Sequence, residues 1–371
     1  MHLVLPPSVS AHGGALTLRT PREALTRWLL SDAIQLPAGP ECGAVAGWRD
    51  AAGGLDYVYP EITGYYLQWL AWHAARYGVE AELRRRAGAA QTWLAGWLAK
   101  DDAPKTRLYL RSAAPDWRNQ ALFCFDLAMA LRGIASAAHM KLLDVDRELV
   151  SRLAQRLLQM VAEDGLLLAC RPHAAGCVLP VRWSTRRGAF LAKAAAGIAN
   201  ASMQLPGVPR ELSAAAEATF AASLEWFVRE PHDETHALLY AMEGILNRQH
   251  EPGDSWRLLD TPFRVLMAQA ARLGRVPEAR SHAGRHRLDI VAQALRVGCL
   301  LRLHDGAQPQ LHALACELMF HLTYDGALPF DVHSQPPQYN AWTAMFAEQA
   351  LSLLEPHAMT SLRAGSQLLL V

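Results

Sequence analysis

The sequence predicts an all-α fold in which about six helical hairpins close into an (α/α)6 toroid, and three observations predict it. Apolar residues recur at three- and four-residue spacing in twelve stretches from end to end, the pattern of helices that each bury a face. The stretches are rich in alanine and leucine and carry few charges even on their outer faces, as helices packed on two sides do. A helix, an Asp-Gly pair and returning apolar residues occur together twice, at Glu163–Leu167 and again at Tyr324–Leu328. Glycine tolerates the positive φ of such a turn, and repetition of the unit points to a closed or superhelical array.

The predicted helices lie near residues 21–34, 62–77, 81–99, 118–139, 146–162, 186–203, 211–229, 234–248, 258–273, 287–303, 308–322 and 340–354. Six helix starts carry polar and aromatic clusters ahead of apolar bodies. The helix at 62 follows Asp56-Tyr57-Val58-Tyr59-Pro60-Glu61, with proline just where a helix start accepts it. The helix at 118 opens on Asp116-Trp117-Arg118-Asn119-Gln120, with Asp126 about two turns in. Arg182-Trp183-Ser184-Thr185-Arg186-Arg187 precedes the third, and His232-Asp233-Glu234-Thr235-His236 the fourth. His286-Arg287-Leu288-Asp289 and Gln338-Tyr339-Asn340-Ala341-Trp342 introduce the last two. Strand patterns are scarce, with Arg107–Arg111 and Cys177–Arg182 as candidates for small hairpins. No Pro/Ser-rich linker or long charge run interrupts the series, so residues 1–371 read as one domain, with an irregular segment over 1–20.

Composition narrows the function. With 51% hydrophobic residues the chain can bury a sizeable core, which excludes global disorder. Lysine and arginine total 36 against 35 acidic residues, and a net charge of +1 argues against nucleic-acid binding through bulk charge. No apolar run approaches the roughly 18 residues of a membrane helix. The N-terminus lacks signal-peptide features, so a cytoplasmic location is expected, with no membrane insertion. Cys170 and Cys177 flank His173, but no second ligand pair accompanies them, and the six cysteines read as free thiols. Phosphate-loop, zincin, dinucleotide-fold and serine-elbow motifs are missing, and neither metal nor cofactor is predicted. Nothing in the sequence fixes the oligomeric state.

In a ring of hairpins the inner helices run one way, so their N-terminal ends converge on one mouth. The six clusters would then line a single funnel of carboxylates, tyrosines, histidines, arginines and tryptophans. That inventory suits a carbohydrate, since aromatic faces stack on sugar rings and arginine pairs with an anionic substituent. Arginines gather at Arg182–Arg187 and Arg285–Arg287 and acids at Asp56–Glu61 and Asp233–Glu243, so the expected partner is an acidic oligo- or polysaccharide.

Tyr59-Pro60-Glu61-Ile62-Thr63-Gly64-Tyr65 resembles the YPEITGY opening of six-hairpin toroid proteins encoded among polysaccharide-biosynthesis genes. His236 through Leu246 resembles the same group's helix with histidine, tyrosine and glycine at matching spacing, and Asn340-Ala341-Trp342 its C-terminal Asn-Trp motif. More distantly the chain is similar to the helical domain of glucuronyl C5-epimerases and to six-hairpin glycosidases and lyases. Where the group has a Cys-Leu-Thr-Gly-Asn-like segment before a glutamine, this chain matches only at Gln293. The resemblance implies a toroid and carbohydrate processing.

Candidate catalytic residues are Tyr59, Glu61, Tyr65, His236 and Tyr240. Glu61 sits in a helix's first turn, where an acid also serves the macrodipole, but Tyr57, Tyr59, Tyr65 and Tyr66 crowd it with more polar aromatic surface than a cap needs. His236, Tyr240 and Glu243 share one helical face. Tyr57, Trp117, Asp126, Trp183, Arg186 and Glu243 are candidate substrate-binding residues, with Arg287, Asp289, Gln293, Asn340 and Trp342 on the later helices. In a uronate epimerase or lyase an arginine neutralises the sugar carboxylate while a tyrosine or histidine removes the C5 proton and a second group acts as acid. In an inverting glycoside hydrolase two of Glu61, Asp126, Glu243 and Asp289 would serve as acid and base. The abundance of Tyr, His and Arg favours proton abstraction; a non-catalytic saccharide-binding protein is the third reading.

Overall fold

The computed structural model describes residues 19–100, 103–111, 115–248, 254–301 and 308–355. The N-terminal segment expected over 1–20 lies almost wholly outside them. The described residues form twelve helices: α1 Arg19–Leu29, α2 Pro60–Tyr77, α3 Ala81–Ala99, α4 Cys124–His139, α5 Arg147–Leu158 and α6 Leu191–Gln204, followed by α7 Arg210–Arg229, α8 Thr235–Arg248, α9 Asp254–Leu273, α10 Leu288–Leu300, α11 Gln308–His321 and α12 Ala341–Leu353. Helix α2 packs on α4, α4 on α6, α6 on α8, α8 on α10, α10 on α12, and α12 returns to α2. That closed inner ring is the (α/α)6 toroid the sequence predicts. Outside it α3, α5, α7, α9 and α11 each back the inner helix that precedes them, while α1 backs α12. The sixth hairpin is thus completed by the beginning of the described chain.

Burial follows this arrangement. Every residue of α10 and α12 is buried, as are Pro60–Ala74 of α2 and Cys124–Ala137 of α4. The outer helix α5 buries only the stripe Leu149, Val150, Leu153, Ala154 and Leu157. Inner helices approach closely through glycine. A Cβ on Gly64 would lie 2.5 Å from the Met129 carbonyl oxygen of α4, and Gly133 faces Gly64 from the other side. Gly64→Ala is therefore expected to destabilise the fold by roughly 1–3 kcal/mol through overpacking, measurable as a lower urea midpoint.

Loops supply three two-stranded sheets: β1 (Arg49–Asp50) with β6 (Gln338–Tyr339), β2 (Tyr57–Val58) with β3 (Leu108–Tyr109), and β4 (Ala121–Phe123) with β5 (Cys170–Pro172). The expected hairpin at 107–111 is instead one strand paired across the ring mouth, and Cys177–Arg182 forms no strand. The helix expected over 118–139 is interrupted by a tight turn at Trp117–Gln120 and by β4, so Asp126 falls in the first turn of α4 rather than two turns in. The predicted turns do contain glycine at positive φ, Gly165 at 79° and Gly326 at 92°. Among the described residues no helix is long and apolar enough to cross a membrane.

Candidate active site

Because inner helices run in parallel, their first turns meet at one end of the ring, around a cavity of about 510 Å³. Glu61 and Ile62 enter from α2, Phe125 and Asp126 from α4, His236 and Tyr240 from α8, and Trp342 from α12. Pro60 opens α2, and the Asn340 side chain caps α12 by accepting from the Thr343 amide at 2.8 Å. Aromatic rings form the walls: Trp183 meets Phe190, His236 and Tyr240 edge-on at 5.0, 5.8 and 6.2 Å, and Trp48 meets Phe330 and Trp342 at 4.8 and 5.7 Å.

Two carboxyls, Glu61 and Asp126, line the cavity. Glu61 and Asp126 are 8% and 5% exposed. Burial raises the pKa of both, and the charge of Glu61 pushes Asp126 further, well above the usual carboxylate range. Two such coupled groups take up the first negative charge more readily than the second. Tyr59 beside Glu61, Thr106 beside Asp126 and the Arg107 charge at both oppose the rise. Burial also lifts Tyr59, Tyr65 and Tyr240 well above 10, with neighbouring negative groups adding to it. At neutral pH these tyrosines are hydrogen-bond donors and acids rather than resting bases.

His236 is set differently. Burial first, and then the Arg287 charge, lower its pKa to about 4, so the ring is neutral near pH 7. Its Nδ1 lies 2.6 Å from Gln293 Oε1, and Gln293 Nε2 donates to Glu243 Oε2 at 3.3 Å. Despite burial, Arg296 and Lys193 hold Glu243 below its ordinary pKa, so it is ionised and only accepts. The amide must then turn its NH₂ to Glu243 and its oxygen to Nδ1–H, leaving the lone pair on Nε2. A neutral imidazole oriented in this way could accept a proton at Nε2. Gln293→Leu removes the orienting acceptor and is expected to lower kcat roughly 10-fold or more, part of the 10²–10⁴ typical of general acid–base catalysis, with KM little changed.

A second buried network lies beside His236. Arg287 donates to both Asp289 oxygens, at 3.1 and 2.7 Å, and the Trp342 indole donates to the same carboxylate at 3.1 Å. Asp289 is thereby held low against the effect of its burial, chiefly by Arg287.

Of the residues singled out in the sequence, Tyr59, Glu61, Asp126, His236 and Tyr240 line the cavity, as do Trp117, Trp183, Arg287 and Trp342. Tyr65, Glu243, Asp289 and Gln293 lie fully behind it as supports. Tyr65 faces Glu61 and Tyr240 without an aligned hydrogen bond. Tyr57 is buried away from the cavity under the Arg107 guanidinium, 4.5 Å from its ring, and Asn340 serves as a helix cap. Arg186 is exposed outside the cavity, and Arg182 lines it instead. Sequence reasoning missed Trp48, Arg107, Lys193 and Arg296. Arg107 reaches the site only through the β2–β3 pairing, whereas Lys193 carried a signal: a lone cation in the apolar run of α6.

No protein-family model and no curated protein matches the chain. Solved structures do. The crystal structure of D-mannose isomerase superposes with a TM-score of 0.67 at 14% identity, over 90% of this chain and 95% of that one. Cellobiose 2-epimerase from Spirochaeta thermophila gives 0.63 at 12% identity, over 93% and 98%. Unsaturated glucuronyl hydrolase from Bacillus sp. GL1, responsible for glycosaminoglycan degradation, gives 0.61 at 12% identity, over 91% and 96%. At such identities the likeness establishes the shared toroid fold.

Proposed function

We propose that this chain is an enzyme that processes an acidic oligo- or polysaccharide by abstracting the proton at C5 of a uronate, leading to epimerisation or elimination. The observation that carries the reading is the placement of a neutral, oriented histidine on the cavity lining together with two carboxyls of raised pKa. His236 on α8 stands three helices around the ring from Glu61 on α2. His236 Nε2 would take the C5 proton, and the Glu61–Asp126 pair would return a proton to the opposite face or to the departing C4 oxygen. Arg107 and Arg118, whose charges already act on Asp126, would hold the sugar carboxylate and the negative charge that develops on it. Trp183 and Trp342 offer faces for the ring. The solved structures similar in fold include sugar epimerases, an isomerase and glucuronyl hydrolases, which supports a saccharide substrate.

A second reading has its own observation. Two buried carboxyls with raised pKa values on one cavity lining, Glu61 and Asp126, are also the groups an inverting hydrolase would use as acid and base. Incubation with a panel of uronate-containing oligosaccharides in deuterated water separates the two. Solvent deuterium at C5 is the expected result for epimerisation, and a new ultraviolet-absorbing double bond for elimination. Cleavage with uptake of water and no C5 label would replace the proposal by hydrolysis. Binding without any chemistry would refute both.

A further inference from the structure

Lys193 lies on the alanine-rich helix α6, its side chain wholly buried, beneath the cavity rather than in its wall. Its Nζ donates to Glu243 Oε2 at 2.8 Å. The same nitrogen lies over the Tyr240 ring at 4.4 Å and the Tyr65 ring at 4.8 Å, with Phe346 of α12 at 5.5 Å. A buried ammonium is costly, and an apolar side chain of similar length would serve packing as well or better. Glu243 does not need it for charge balance, because Arg296 already donates to its other oxygen. What the cation does reach, through the two tyrosine rings, is the underside of the acid–base site.

We infer that Lys193 is a positioning residue of that site: its ammonium, fixed on Glu243 and stacked under Tyr65 and Tyr240, supplies the positive charge that lets one member of the Glu61–Asp126 pair stay ionised. The inference rests on the reading of that pair as the reacting acid. The charged and titratable groups around Lys193 are Tyr65 and Glu61 on α2, Arg132 on α4, Tyr240 and Glu243 on α8, and Arg296 on α10. Burial brings Lys193 down to about 7, whereas Arg132 is lowered only to about 10 and keeps its charge through the neutral range. Lys193 is therefore the member of this set whose charge changes near pH 7, and Glu61 feels that charge. Below the lysine midpoint the cation favours ionised Glu61. Above it the pair retains its proton more tightly.

Carbon-13 NMR of the full chain, labelled at Glu and Asp side-chain carboxyls and at lysine Cε, tests this without any substrate. In the wild type the Glu61 resonance should show a second inflection that tracks Lys193. Lys193→Met should raise the Glu61 midpoint by roughly one to three units, the usual reach of a nearby charge. Lys193→Arg, permanently charged, should keep the midpoint and lose the second inflection. An unchanged Glu61 midpoint in both variants, or a wild-type carboxyl indifferent to the lysine titration, overturns the inference. If Lys193→Met does not fold, the wild-type inflection alone decides. With an active substrate, the alkaline limb of kcat/KM, set by ionisation of the acid, should move upward in Lys193→Met and return in Lys193→Arg. Intact carboxyl coupling with no turnover on any uronate would sink the proposed reaction and leave the role of Lys193 standing.

Discussion

Glu61→Gln is expected to lower turnover by roughly 10²- to 10⁴-fold, the range general acid–base groups contribute, while raising the melting temperature at neutral pH. The two effects have one origin. Burial raises the folded-state pKa of both carboxyls and the Glu61 charge raises Asp126 further, whereas the unfolded carboxyls titrate near the ordinary value of about 4. The folded protein thus binds protons more tightly there. The contribution of the pair to stability is fully present below the unfolded pKa and is lost as pH rises through the folded value. A glutamine keeps the shape without that loss. The stability gap between variant and wild type should therefore widen from pH 5 to pH 8, reaching a few degrees if the gain is about 1–2 kcal/mol. Asp126→Asn should behave alike, and the double variant should gain less than the sum because the two charges influence one another. A pair that merely braces the fold would lose stability on substitution. Scanning calorimetry with initial-rate kinetics on the same preparations distinguishes the cases.

Glu243→Leu is expected to be the most damaging single substitution, lowering unfolding free energy by roughly 3–5 kcal/mol. The Glu243 carboxylate accepts from Lys193, Arg296 and Gln293 in a region with essentially no exposure. Without it Lys193 can shed its proton, but the buried Arg296 guanidinium would lose its anionic partner and be left against the Gln349 side chain and the Phe346 ring. The effect also has a pH signature. Because Glu243 is held below its ordinary pKa, its stabilisation is present at neutral pH and disappears as pH falls through the folded value. The penalty of the variant should accordingly shrink in acid, as urea unfolding at pH 7 and pH 4 would register. The variant should lose the orientation of Gln293 too, and with it the fixed tautomer of His236.

The ring was legible in the sequence because helix-spaced apolar residues, two Asp-Gly turns and clustered helix starts all depend on local spacing. Those clusters also placed Glu61, Asp126, His236 and Trp342 near one another, since parallel inner helices bring their first turns to one end. What local spacing does not carry is pairing between distant loops. Arg107 enters the site through a two-residue strand paired with Tyr57–Val58, and Trp48 through the loop that precedes it. The interruption at Trp117–Phe123 escaped for a similar reason, as β4 exists only because Cys170–Pro172 lies beside it. Arg186 and Arg182 could not be separated on sequence, because the short turn at Trp183–Thr185 decides which one faces inward. Asp289 and Gln293 looked like ligands of a substrate and are instead the buried partners of Arg287 and His236.

A crystal structure of the Glu61→Gln variant with a bound uronate oligosaccharide tests the central claim most directly. The account predicts the terminal uronate in the cavity between Trp183 and Trp342, its carboxylate on Arg107 or Arg118, and its C5–H directed at His236 Nε2 with the Asp126 carboxyl on the opposite face. A saccharide seated with its carboxylate away from these arginines, or with C5 out of reach of His236, would contradict it.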